Sequence, residues 1–129
     1  MHNSLNQKFS KLVCMLSAAS MTLLIPMTAL AASHSVSYYF KYALQGPTRS
    51  FSSGSITLDI YSTSGKKDTM SIGLHKKNLV GGKTIGTTTA PTSGSHTKTW
   101  TGISAGDYYL SFTKTNNGIY VSGSGTIRN

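Results

Sequence analysis

Val36-x-Tyr38-x-Phe40-x-Tyr42 places an apolar side chain at every second position, with Ser37, Tyr39 and Lys41 between them. Ile56-x-Leu58-x-Ile60 repeats the pattern around Thr57, Asp59 and Tyr61. A period of two sends successive side chains to opposite faces of an extended strand, so each segment has one dry face and one wet face. A helix cannot use such a pattern, because its apolar stripe recurs every three to four residues. Met70-x-Ile72-x-Leu74 continues the alternation after the turn-rich Ser62-Thr63-Ser64-Gly65-Lys66-Lys67-Asp68. Helix formers are scarce beyond Ala32, where Ser, Thr, Gly, Tyr, Val and Ile dominate.

The expected strands are Val36 to Tyr42, a short one near Phe51, Ile56 to Tyr61, Thr69 to Lys76, Lys83 to Thr88, Thr97 to Thr101, Tyr108 to Thr115 and Ile119 to Ile127. Seven or eight strands of this kind pack as two sheets, so the sequence predicts a small antiparallel β-sandwich, jelly-roll or immunoglobulin-like, with a closed barrel as the alternative. Asn117-Gly118 between two alternating segments predicts a type I′ hairpin, a turn that needs positive φ at both positions. In that register Phe112 faces Gly123, Leu110 faces Gly125 and Tyr108 faces Ile127, so large side chains meet glycines across one strand pair.

The N-terminus reads differently. Lys8 and Lys11 precede an apolar stretch that runs through Leu12–Leu16 and Met21–Pro26 and ends at Ala29-Leu30-Ala31. Charge, then an apolar core, then small residues at the first and third positions is the order of a secretory signal peptide. Residues 1–31 are expected to be removed on export, leaving a single domain, 32–129, secreted and not membrane-spanning after processing. The lone Cys14 leaves with the signal, so no disulfide is expected in the mature chain.

The mature chain has ten lysines and arginines against Asp59, Asp68 and Asp107, a net charge of +7 compared with +9 for the whole sequence, and no glutamate. Spread along the chain, such charge serves solubility and also attracts polyanions. Hydrolysis by paired carboxylates needs two acids facing one substrate, and three isolated aspartates do not provide them. His34, His75 and His96 lie in separate segments without metal-ligand spacing. Ser122-Gly123-Ser124-Gly125 lies within a strand rather than at a nucleophile elbow. The sequence therefore predicts no catalytic residues, no metal site, no cofactor and no nucleotide partner.

Binding candidates come from parity. Tyr38, Phe40, Tyr42, Tyr108 and Phe112 fall on apolar faces and are expected in the core, whereas Tyr39, Tyr61 and Tyr109 fall on the opposite faces, where a ring with a polar tip can stack on a sugar. Lys41, Lys76, Lys77 and Lys98 lie in or beside strands and join them as candidates. Trp100 shares a face with His96 and Lys98 and counts both as a stacking candidate and as a core residue.

Ile56-Thr57-Leu58-Asp59-Ile60-Tyr61 and Ser104-Ala105-Gly106-Asp107-Tyr108-Tyr109-Leu110-Ser111-Phe112 resemble two strands of bacterial secreted jelly-roll modules of the pre-peptidase C-terminal kind, in which an apolar-Asp-apolar strand precedes an Ala-Gly-Thr-Tyr-Tyr corner. The resemblance implies a sandwich fold and assistance in binding insoluble substrates. Some such modules hold calcium with clustered acids. Here Asp107 stands where threonine is usual and only three carboxylates are present, so no calcium site is carried over. The function expected is a secreted, non-enzymatic binding module for an anionic polymer or polysaccharide of a cell envelope or matrix. A bacteriocin-like antagonist of other cells and an extracellular matrix or assembly protein are the alternatives.

Overall fold

The computed structural model describes residues 32–78 and 80–129, which fall in one compact unit, Ala31–Asn129. The signal peptide expected over residues 1–31 lies outside the described residues.

Nine strands form: β1 (Ser33–Phe40), β2 (Ala43–Gln45), β3 (Arg49–Phe51), β4 (Gly54–Ser64), β5 (Thr69–Asn78), β6 (Gly81–Pro91), β7 (Gly94–Ile103), β8 (Gly106–Thr113) and β9 (Val121–Arg128). They build two antiparallel sheets. One has the order β1-β9-β4-β7, the other β2-β8-β5-β6, with β3 also pairing β8. The chain changes sheet at most of its connections, and this interleaved order is that of a jelly roll. The expected sandwich is thus the observed fold. The ninth strand arises because Gly46-Pro47 divides the segment along β8 into β2, opposite Ser111–Thr113, and β3, opposite Gly106–Tyr108. Proline has no N–H to give to a ladder.

The core lies between the sheets and is filled by the inward positions that alternation picks out. Tyr38 and Phe40 come from β1, Ile56, Leu58 and Ile60 from β4, Met70, Ile72 and Leu74 from β5, Tyr108, Leu110 and Phe112 from β8, and Val121 and Ile127 from β9. Tyr38 stacks on Phe112 at 4.7 Å between ring centroids, tying the two sheets together. Its buried hydroxyl is hydrogen-bonded to Ser62 Oγ, and burial pushes the phenol's pKa up, the hydrogen bond acting in the opposite sense. At the start of β8 the Tyr108 hydroxyl donates to the Ser104 carbonyl at 2.6 Å, pinning the corner that the Ala105-Gly106 sequence turns.

The hairpin expected at Asn117-Gly118 does not form, since β8 and β9 lie in different sheets. Gly118 does adopt a positive φ of 77°, but among the described residues no non-glycine does, so Asn117 lacks the second positive φ of a type I′ turn. Asn117 uses its side chain instead, its Oδ1 accepting from the Ile119 N–H at 3.1 Å. The crossing segment is gathered by Lys114, which has the inward parity of Tyr108, Leu110 and Phe112 and is buried. Its ammonium donates to the carbonyls of Lys41 (3.0 Å), Thr115 (2.9 Å) and Ile119 (2.9 Å) and to Asn117 Oδ1 (2.9 Å).

The pairing of large residues with glycines is real but has other partners. Gly123 stands opposite Tyr38 of β1, and the Tyr38 ring occupies the space where a Cβ would project. Gly125 stands opposite Val36 and Ile60, and the Asp59–Ile60 backbone leaves no room for a Cβ there. Tyr42, expected in the core, is 56% exposed because β1 ends at Phe40 and the alternation breaks at the corner into β2.

Candidate functional site

The outer face of the β1-β9-β4-β7 sheet is a lattice of hydroxyls. Register places Ser33, Arg128, Thr57 and Thr99 in one row across the strands, Ser35, Thr126, Asp59 and Thr97 in the next, then Ser37, Ser124, Tyr61 and Ser95, then Tyr39, Ser122 and Thr63. Every one of these side chains except Arg128 and Asp59 bears a hydroxyl. Asp59 Oδ2 is 4.0 Å from Arg128 Nη1, and Asp59 Oδ1 accepts from Thr97 Oγ1 at 3.1 Å, so the two charges are answered within the face. Neighbouring strands are about 4.8 Å apart and alternate residues along a strand about 6.8 Å apart, which fixes the mesh of the lattice.

Two of the expected stacking residues rise from this face, Tyr61 at 61% and Tyr39 at 67% exposure. Tyr39 stacks on Tyr120, with centroids 4.5 Å apart and planes 13° from parallel, and Lys41 Nζ lies 5.9 Å from the centre of the Tyr120 ring. Lys41, Tyr39 and Tyr120 therefore form one exposed group at an end of the face. Tyr61 stands two strands and one row from Tyr39, about 12 Å between Cα positions by strand spacing. Tyr120 was not among the sequence candidates. Its parity with Ser122, opposite to that of buried Val121, is the signal that marks it as outward.

The other sheet carries a second, separate group. Tyr109 projects outward from β8 and stacks on His75 of β5 at 5.0 Å. His75 Nε2 is 2.7 Å from Ser111 Oγ and Nδ1 is 3.1 Å from Thr84 Oγ1. Glycines make this possible: a Cβ on Gly73 would lie 2.7 Å from His75 Nε2, and one on Gly82 would meet the Tyr109 phenol. Burial holds the His75 pKa below its usual value, favouring the neutral ring. A serine bonded to a neutral imidazole has the first two members of a catalytic relay, but the third place is held by Thr84, which brings no negative charge to stabilise an imidazolium. Lys77 is exposed beside Tyr109 across a shallow polar depression that Asn78, Gln45 and Thr48 also line.

The remaining candidates are turned to other uses. Lys76 is partly buried, donates to Ser104 Oγ at 2.7 Å and lies against the Tyr108 ring. Lys98 is partly buried on the inner side of β7. Trp100, on that same inner side, is 6% exposed and packs over Gly86, where a Cβ would approach its ring to 2.9 Å. It belongs to the core and offers no stacking surface. Asp59 faces out from one sheet, Asp107 from the other, where it accepts from Ser50 Oγ at 2.6 Å, and Asp68 sits in the β4–β5 turn. The thickness of the sandwich, about 10 Å between sheets, thus separates the two strand aspartates. Among the described residues no three His, Cys, Asp or Glu side chains gather as a metal set.

An apolar slot opens between β1 and the β2–β3 segment, lined by Val36, Leu44, Phe51, Leu110, Phe112 and Ile127. Its volume of about 40 Å³ is far below that of a small-molecule site.

No family model matches the chain, and no curated protein matches it. Among solved structures it is similar to PliG of Aeromonas hydrophila, a periplasmic lysozyme inhibitor of g-type lysozyme, at 12% identity and a TM-score of 0.44 over 77% of this chain and 84% of that one. It is similar to PirA at 15% identity and a TM-score of 0.38, over 75% and 90% of the two chains. It is also similar to the carbohydrate-binding module CBM36, solved with calcium and xylotriose, at 18% identity and a TM-score of 0.31 over 72% and 70%. All three are small β-sandwich proteins, and at these identities and scores the likeness goes no further than that architecture.

Proposed function

We propose that this chain is a secreted, non-enzymatic module that loses residues 1–31 on export and binds a polysaccharide of a cell envelope or matrix along the outer face of the β1-β9-β4-β7 sheet. One observation carries the reading: three exposed tyrosines, Tyr39, Tyr61 and Tyr120, stand on a broad face whose other members are almost all hydroxyls. Aromatic faces stack on the C–H faces of sugar rings, and serine and threonine exchange hydrogen bonds with sugar hydroxyls in either direction. A wide, open face suits a stretch of polymer over several residues better than it suits one buried ring. The resemblance of Ile56–Tyr61 and Ser104–Phe112 to strands of pre-peptidase C-terminal modules supports the same reading.

The polymer need not be anionic. Arg128 is answered by Asp59, and Lys41 adjoins the tyrosine group at that end of the face. Attraction by scattered lysines weakens as the screening length falls from about 10 Å at 0.1 M salt to about 3 Å at 1 M, whereas stacking persists. The test is retention of the purified protein on insoluble peptidoglycan, chitin and xylan at both salt levels. Retention on at least one of them at high salt, reduced tenfold or more by Tyr39→Ala and by Tyr61→Ala, is the expected result. No retention on any of the three at low salt, or retention indifferent to both substitutions, refutes the reading.

A further inference from the structure

Within the described residues the two sheets have four borders: β1 and β7 on one, β6 and the β2–β3 segment on the other. An unpaired strand edge is a template for another strand, and proteins blunt such edges with lysine, proline, bulges or interruptions. Three borders are blunted here. β7 carries Lys98 on its inner side, β6 has Lys83, an irregular register beside Leu74 and a terminal Pro91, and the β2–β3 segment is broken at Gly46-Pro47 and bears Arg49. β1, Ser-His-Ser-Val-Ser-Tyr-Tyr-Phe over 8 residues, has no lysine, arginine, proline or register shift.

The direction of its open groups follows from the ladder. The Asn129 N–H donates to the Ala32 carbonyl at 2.9 Å, so by antiparallel alternation His34, Val36, Tyr38 and Phe40 also bond toward β9. Ser33, Ser35, Ser37 and Tyr39 therefore turn their N–H and C=O groups to the open side. Beside them lies the mouth of the apolar slot, and Val36, an inward position, is left only partly buried there. A bare edge next to an apolar mouth is the combination that strand addition uses, main-chain bonds holding the guest and alternate side chains entering the recess.

We propose that β1 is a dimerisation strand: two copies of this chain pair β1 to β1 antiparallel and join their β1-β9-β4-β7 sheets into one. A two-fold axis at Val36 sets Ser35 opposite Ser37 and Ser33 opposite Tyr39, which pairs every open N–H and C=O. It also brings the two Val36 side chains together in a non-hydrogen-bonded pair, where side chains approach closest, and covers both slot mouths. A second copy is the fitting occupant because β1 itself has the alternation the edge requires, hydroxyls outward and apolar groups inward. The excess of basic over acidic residues, a net charge of +7 over residues 32–129, works against approach of two copies through borders that carry lysine or arginine. An axis perpendicular to the sheet keeps both hydroxyl faces on the same side, doubling the platform.

Sedimentation of the purified chain across a concentration series, with no glycan present, tests this apart from the binding reading. The wild-type mass should double as concentration rises. Ser37→Pro removes an outward N–H and spares the β9 ladder, and Ser35→Lys puts a charge at the edge. Both should stay at the monomer mass with an unchanged far-ultraviolet circular dichroism spectrum, while Thr101→Lys on the β7 border should still dimerise. A wild-type chain that remains monomeric at its highest soluble concentration, or two folded β1 variants that still double in mass, overturns the proposal.

Discussion

Lys114→Met should unfold this domain at a much lower temperature although it swaps one long side chain for another. Lys114 is 7% exposed, and its ammonium faces four oxygens within 3.0 Å, three of them main-chain carbonyls of the crossing segment and of Lys41. An ammonium has three protons, so one is shared. Hydrogen bonds to a charged group contribute about 1.5–3 kcal/mol each. Their simple sum overstates the loss, because Asn117 Oδ1 keeps its bond from the Ile119 N–H and the Thr115 carbonyl keeps its bond from the Asn117 N–H. Two carbonyls left without a partner give a cost of about 3 kcal/mol, in line with removing one member of a buried charged group. For a domain of this length each kcal/mol moves the midpoint by about 4–8 °C, so a fall of about 12 °C or more is expected. The assay is thermal unfolding followed by circular dichroism, with Lys67→Met in the exposed β4–β5 turn as control, where a change within about 0.5 kcal/mol is expected. If the two variants melt together, the ammonium does not hold the crossover and the reasoning fails.

Gly125→Ala should cost several kcal/mol or prevent folding, because a Cβ would overlap the Asp59 carbonyl in the next strand; a soluble variant with a wild-type urea midpoint contradicts the packing. Gly118→Val should destabilise by about 1 kcal/mol or more, since φ is 77° there, and an unchanged melting temperature counts against that conformation. His75 has a pKa held low by burial, so the unfolded chain binds its proton first as pH falls through about 6.5. Its contribution to stability is thus lost from neutral pH downward, and His75→Gln should flatten that part of the profile of melting temperature against pH.

Local alternation carries across from sequence to structure because it depends only on neighbours in the chain. Ile56, Leu58 and Ile60 point inward with Asp59 and Tyr61 outward, as their spacing requires, and Met70, Ile72 and Leu74 behave alike. Pairing between strands does not carry across in this way. Asn117-Gly118 signals a tight hairpin, yet nothing within the segment states that Lys114 will gather the chain and send β9 to the opposite sheet. Parity gives a hint, since Lys114 continues the inward series of Tyr108, Leu110 and Phe112, and an inward lysine needs acceptors rather than a strand partner. The candidate surface was half visible for the same reason. Tyr39 and Tyr61 are outward by alternation, but their placement on one face with Tyr120 required β9 to lie between β1 and β4. Trp100 illustrates the converse, because parity with Lys98 leaves its side undecided until the sheets are assembled.

The placement of charge explains why so basic a chain presents so neutral a face. Lys114 is enclosed by carbonyls, Lys76 is bonded to Ser104 and Arg128 lies against Asp59, so three of the basic residues are committed within the fold. Lys66 and Lys67 lie in the β4–β5 turn, Lys83 and Lys98 lie on the β6 and β7 borders, and Arg49 lies on β3. Apart from Lys77 near the end of β5, positive charge therefore collects at turns and at the borders where it opposes strand addition, and it is thin on the hydroxyl lattice and absent from β1. A polyanion-binding surface calls for the opposite distribution, with unpaired cations in the middle of a face. If the proposals hold, this distribution keeps copies apart at the three borders that carry lysine, arginine or proline, leaves β1 to pair, and leaves the broad face to a ligand recognised by rings and hydroxyls.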